Sequence, residues 1–170
     1  ASETESRMTK KTLAYALEAA IEKQTTGVRG FLMAGKEDLL KHDEEGKQSY
    51  REAITELQNT VVSERGKRLL ADIVHNYEGY RALADQEIQL KRANKGTEAI
   101  SLGFSPQMSS VRSDLRKSVA EFIEFQEGLR QETVKKQKST QSTANLIVAS
   151  LALGGSALGF IVALFIARSI

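Results

Sequence analysis

Cysteine is absent from the 170 residues, proline occurs once, at Pro106, and histidine only twice, at His42 and His75. Without cysteine the chain holds neither a disulfide framework nor a zinc–thiolate site. With one proline, and with glycines that do not gather into loops outside the stretch 102–106, a turn-rich sheet protein is excluded in favour of an all-helical one. The two histidines lie on polar stretches of different expected helices, and neither has a partner at metal-ligand spacing. No serine or threonine stands in a strand-to-helix elbow, and no glycine-rich phosphate loop follows a strand, so no enzyme and no cofactor is expected. The acidic run Asp43, Glu44, Glu45 lacks the alternating oxygens of a calcium loop and reads as a solvated helix face.

Charge is almost missing from one end. Of the 46 charged residues, all except Arg168 lie at or before Lys138. Beyond them LIVASLALGGSALGFIVALFIA, Leu146–Ala167, is 22 residues long with two serines as its polar members. At 1.5 Å per residue such a helix spans about 33 Å, enough for a bilayer core of about 30 Å. A transmembrane helix over 144–167 is therefore expected, with 168–170 emerging from it. Its C-terminal position excludes a signal peptide, and the ending Arg168, Ser169, Ile170 disfavours a lipid-anchor signal. Gly155 and Gly159, with Ser150/Gly154 and Ala152/Ser156, are small residues at the spacing that lets two membrane helices approach closely. Lys135, Lys136 and Lys138 suit lipid headgroups, and the balanced charge of the rest argues against nucleic acid.

The solvated part, 1–143, reads as four helices over about 4–34, 37–61, 64–100 and 106–143. The first carries the stripe Leu13, Leu17, Ala20/Ile21, Gln24, Val28, Phe31/Leu32 at steps of three and four. Gly35 ends it, and Leu39, Leu40, Tyr50, Ile54, Leu57 and Val61 restart the stripe. Ser63 is a candidate cap for the third helix, and Ser105 with Pro106 opens the fourth, since proline at the first helical position removes an N–H that has no partner there. Long helices with short connections predict an antiparallel up-down-up-down bundle with crossing angles of about 20°. No proline interrupts the way from Pro106 to the apolar run, so the fourth helix is expected to continue into the membrane. The groups suited to a bundle pocket or dimer groove are Arg29, Tyr77, Tyr80, Arg81, Arg112 and Arg116, whose arginines fit an anionic small molecule. Inside the first helix Gly27 and Gly30 each cost about 1 kcal/mol relative to alanine, so both are read as positions of close approach.

TTGVRGFLMAGKEDLLKHDEEG, beginning at Thr25, resembles the signature of the third class of CHASE domains, extracytoplasmic sensory bundles of bacterial histidine kinases, chemoreceptors and cyclases. Thr26, Gly27, Arg29, Gly30, Phe31, Leu32 and Gly35 carry the resemblance, while Lys36 stands where that family has Asp or Asn. KGTEAI at 95–100 and the neighbourhood of Asp114, Leu115 and Arg116 resemble its second half, and ARSI at 167–170 resembles the start of a HAMP linker. The resemblance implies a homodimeric receptor of the bacterial inner membrane whose bundle faces the periplasm and meets a small molecule or a periplasmic protein. A first membrane helix would then precede Ala1, and HAMP and output domains, of a two-component kinase or a chemotaxis receptor, would follow Ile170. The basic flank of the span, Arg130, Lys135, Lys136 and Lys138 against Arg168, by itself points the other way, to a tail-anchored interaction bundle in the cytoplasm.

Overall fold

The computed structural model describes residues 3–132, 134 and 135, with side chains from residue 9 onward. The chain divides into two compact units, Ala1–Leu129 and Arg130–Ile170, and the fold is that of the first. All regular structure among the described residues is helical. The expected membrane helix with Gly155 and Gly159, the end of the bundle at 143 and the linker start at 168–170 lie outside the described residues. No helix among the described residues is long and apolar enough to cross a membrane.

Helix α1, Glu3–Ala34, buries Ala14, Leu17, Ala20, Ile21, Gln24, Val28, Phe31 and Leu32, the three-and-four stripe that faces a core. It stops at Gly35, whose N–H bonds the Phe31 carbonyl at 2.8 Å. The φ of Gly35 is +69°, a left-handed conformation that costs a residue without Cβ nothing. A single 3-10 turn, Glu37–Leu39, leads straight into α2, Leu40–Thr60. Helix α3, Glu64–Arg92, is capped by Ser63, whose hydroxyl accepts from the Gly66 N–H at 3.2 Å. The cap gives a partner to one of the N–H groups that every helix start leaves free.

The third helix is shorter than its sequence pattern suggests. The apolar stripe predicts a helix to Ile100, yet α3 ends at Arg92 and a separate short helix α4, Gly96–Gly103, follows. The stripe continues across the break, but Asn94 takes a φ of 60°. Asparagine tolerates this left-handed conformation better than most residues. Asn94 N–H then bonds the Lys91 carbonyl at 3.1 Å and Lys95 N–H the Leu90 carbonyl at 2.9 Å, the paired closure that ends a helix. After α4, the Ser105 hydroxyl accepts from the Met108 N–H at 3.1 Å, and Pro106 opens α5, residues 106–129 of this unit.

Side-chain contacts fix the direction of every long helix. Asp43–Arg81 and Tyr50–Tyr77 make α2 and α3 antiparallel, Glu87–Arg112 and Asn76–Ser118 do the same for α3 and α5, and Glu22–Arg116 and Lys11–Glu127 for α1 and α5. The result is an up-down-up-down bundle with Leu17, Leu57, Ile73, Met108 and Phe122 inaccessible at its centre.

Among α1 to α4 the most extensive pairing is α1 on α2. A Cβ built on Gly27 would lie 2.6 Å from the Asp43 backbone nitrogen, and one on Gly46 2.6 Å from Gln24 Cγ and 2.7 Å from the Ala20 carbonyl oxygen. Glycine is thus required on both sides of the seam. Gly30 differs from the expectation, because a Cβ there would meet only the Leu39 side chain, at 3.4 Å, an ordinary contact. Gly27→Ala should therefore lower stability by about 1–3 kcal/mol through overpacking, whereas Gly30→Ala should raise it by up to about 1 kcal/mol through helix propensity. Urea denaturation of the full chain, followed by far-UV circular dichroism, measures both, and equal effects would contradict the asymmetry.

Candidate functional site

Two groups of polar side chains are buried in the bundle, one at mid-height and one towards the end that carries the Gly35 turn. The first joins α1, α2 and α3. Asp43, 1% exposed, accepts from Arg81 at 2.7 and 3.4 Å and from Lys47 at 2.8 Å, and Arg81 also pairs with Asp85. Asp43 and Arg81 are buried, while the partly buried Lys47 and the exposed Asp85 reach the pair from its edge, so the charges balance and the desolvation cost of the buried two is limited. Burial alone would lower the Arg81 pKa, but the Asp43 and Asp85 carboxylates outweigh it and hold the guanidinium above its usual value.

Gln24 on α1 completes the group by accepting from the Tyr77 hydroxyl at 3.0 Å and from Arg81 at 3.3 Å. Burial pushes the Tyr77 phenol up to about 12, so it remains a donor at neutral pH. Tyr77 stacks on Tyr50 with ring centroids 3.5 Å apart, and the Tyr80 and Thr25 hydroxyls share a hydrogen bond at 3.2 Å. Asp43 corrects the sequence reading. Its neighbours Glu44 and Glu45 suggest a solvated face, yet Asp43 lies on the Leu40–Gly46–Tyr50 stripe and is buried by its two cationic partners.

The second group surrounds a pocket of about 250 Å³. Arg29, Leu32 and Met33 line it from α1, Glu87 from α3, Ile100 and Gly103 from α4, with Phe104 and Arg112 completing the wall. Glu87 is wholly buried, and neither carboxylate oxygen has a hydrogen-bond partner. Its nearest cation, Arg112 Nη2, is 3.9 Å from Oε1, too long for a hydrogen bond. Arg112 Nη1 donates to the Gly103 carbonyl at 3.3 Å, while its Nε is buried without a partner. A Cβ on Gly103 would press on Glu87 Oε1, so glycine lets α4 close over this carboxylate without displacing it.

The six candidate residues therefore do not share one site. Arg29 and Arg112 line the pocket, whereas Tyr77, Tyr80 and Arg81 belong to the mid-bundle group. Arg116 is exposed and paired with Glu22 on the surface. Of the motif residues, Leu32 lines the pocket, Phe31 is in the core, Gly27 is at the α1–α2 seam and Thr26 is exposed. His42 is exposed on α2 and His75 on α3. Sequence reasoning missed Glu87, although an acid three residues after Ala84 and beside Ile88 sits on the buried stripe of α3 and was the available signal.

Burial away from water raises the Glu87 pKa from 4.5 to about 7, against the attraction of Arg112, Arg29 and Arg81. The folded chain thus holds this proton more tightly than the unfolded one, so stability falls as pH rises from about 4.5 to about 7 and levels off above. Glu87→Gln should remove that loss. The stability of Glu87→Gln relative to wild type should grow by on the order of 3 kcal/mol between about pH 4.5 and pH 8, measured by urea denaturation at each pH.

A family model described as the CHASE3 domain matches residues 4–136. A "Putative sensory transducer protein" of Acetivibrio thermocellus is 26% identical over 113 residues, covering 66% of this chain and 20% of the relative. The chain thus spans about one fifth of the length of that relative.

Proposed function

The chain belongs to the CHASE3 domain family, and from that premise we propose that it is the ligand- or stress-sensing module of a dimeric transmembrane receptor, with its bundle outside the bacterial cell membrane. One observation carries the reading. The stretch that matches the family, residues 4–136, is followed in the sequence by the apolar run 146–167, long enough to cross a bilayer. Sensing is a property of the family, and the name of the Acetivibrio relative agrees with it.

The signal in this reading is a small displacement of α5 against the rest of the bundle. The polar contacts of α5 with its neighbours include Asn76–Ser118 at 2.7 Å and Glu87–Arg112 at 3.9 Å on one side, and the exposed Glu22–Arg116 pair on another. Exposed pairs contribute little, so two packings of α5 a few kcal/mol apart are within reach, and a ligand that prefers one shifts the balance. No proline or glycine stands between Leu129 and Leu146, so the sequence permits a rigid connection to the span. Gly155 and Gly159 would then pair two membrane helices in the dimer.

The basic flank before the span favours a second reading, a tail-anchored bundle on the cytoplasmic side. The absence of native cysteine makes the choice measurable. Single-cysteine variants at Ser2 and Ser139 should react with a membrane-impermeant maleimide in intact cells, and labelling only after lysis would establish the tail-anchored bundle instead. In a receptor that carries this chain, a Gly-Pro pair inserted after Lys136 should abolish the response, and an undiminished response would remove helix displacement as the mechanism.

A further inference from the structure

The pocket at the turn end of the bundle has a definite chemistry. Its charged groups are two guanidinium groups and one carboxylate, an excess of one positive charge, and the rest of its wall is apolar. Met33 and Phe104, each 84% exposed, stand at its rim as large hydrophobic side chains without cover. Arg29 is exposed and in no ion pair among the described residues. Arg112 Nη1 has one long bond to a carbonyl, Nη2 faces a carboxylate at 3.9 Å, and 16% of the side chain is accessible. Such a fork is unsatisfied, and a carboxylate is the group it fits best.

Glu87 decides between two kinds of carboxylate ligand. A zwitterion would need its ammonium to reach Glu87, but both Glu87 oxygens are shut off from the pocket opening, whereas 16% of the Arg112 side chain is accessible. An ammonium therefore finds no acceptor, and the excess positive charge calls for a net anion. The pocket holds about 250 Å³. A benzene ring needs only about 150 Å³ of cavity, so the body of the ligand is somewhat larger than that ring.

We propose that this pocket binds a small apolar monocarboxylate, its carboxylate held by Arg29 and Arg112 and its body against Leu32, Met33, Ile100 and Phe104. The proposal rests on the sensory reading and deepens it by naming the ligand class. Its test is a binding measurement, which reports on the pocket whichever side of a membrane the bundle occupies. The pocket also predicts that binding is proton-linked. A bound anion beside Glu87 favours the protonated acid, and the charged groups facing Glu87 are Arg29 from α1, Arg112 from α5 and Arg81 from its own helix, while α4 presents only Ile100 and Gly103 to the pocket. Glu87 taking up a proton frees Arg112 from its one carboxylate neighbour for the ligand.

The probe is 3-phenylpropionate, titrated calorimetrically into the full 170-residue chain in detergent, with 3-phenylpropionamide, phenethylamine and L-phenylalanine as controls. The acid should bind at least tenfold more tightly than all three controls, and about tenfold more tightly at pH 6 than at pH 8. Arg29→Ala, at an exposed position that leaves the fold intact by circular dichroism, should weaken binding at least tenfold. Glu87→Gln should bind the acid with the pH dependence erased. Absence of heat with the acid, equal binding of the amide, tighter binding of L-phenylalanine, or an unchanged affinity in Arg29→Ala would each overturn the proposal.

Discussion

The bundle depends on how closely α1 and α2 approach at Gly27 and Gly46. With no Cβ on either side, the backbone of α1 reaches that of α2 near Asp43, and the two helices hold one register. That register sets where Asp43 emerges, and Asp43 in turn fixes Arg81 of α3 beneath Gln24 of α1. A slip by one turn would bury the Asp43 charge without its partners, at a cost of several kcal/mol. Close packing and buried polar pairing thus enforce each other, and α3 and α5 are laid on a framework that the first two helices define.

Much of this architecture is legible in the sequence because it rests on periodicity and punctuation. The stripe through Leu17, Ile21, Gln24, Val28 and Phe31, the caps at Ser63 and Ser105, Pro106 and the positive-φ Gly35 are local signals with local causes. The break at Asn94 is hidden because asparagine has two uses, and an apolar stripe that resumes in phase masks the interruption. The polar groups are legible only in part. Arginines and tyrosines can be picked out as residue types, but which of them meet depends on contacts between positions such as 24 and 77 or 29 and 112, which no local pattern encodes. The acids are harder still, since Asp43 is hidden in an acidic run and the place of Glu87 on a buried stripe does not say which groups on other helices it meets.

The two polar groups also differ in how fully their charged members are paired. At mid-bundle Asp43, Arg81 and Lys47 all have ionic partners, and the buried groups left over, Gln24 Nε2 and the Tyr50 hydroxyl, are neutral donors. Towards the turn end the buried Glu87 and the half-buried Arg112 lie side by side without a hydrogen bond between them, next to an open apolar wall. In the proposed sensory reading the first region sets the resting geometry, and the second offers charged groups that a ligand would pair.

The Tyr50–Tyr77 stack has a practical side. The chain contains four tyrosines and no tryptophan, and these two rings lie nearly parallel, 11° apart, across the α2–α3 seam. Rings held so close couple their electronic transitions, and Tyr80 is tilted against the same pair. The near-ultraviolet dichroism of the domain is therefore dominated by one spot at mid-height of the bundle. It serves as a built-in optical gauge of helix register, free of any label.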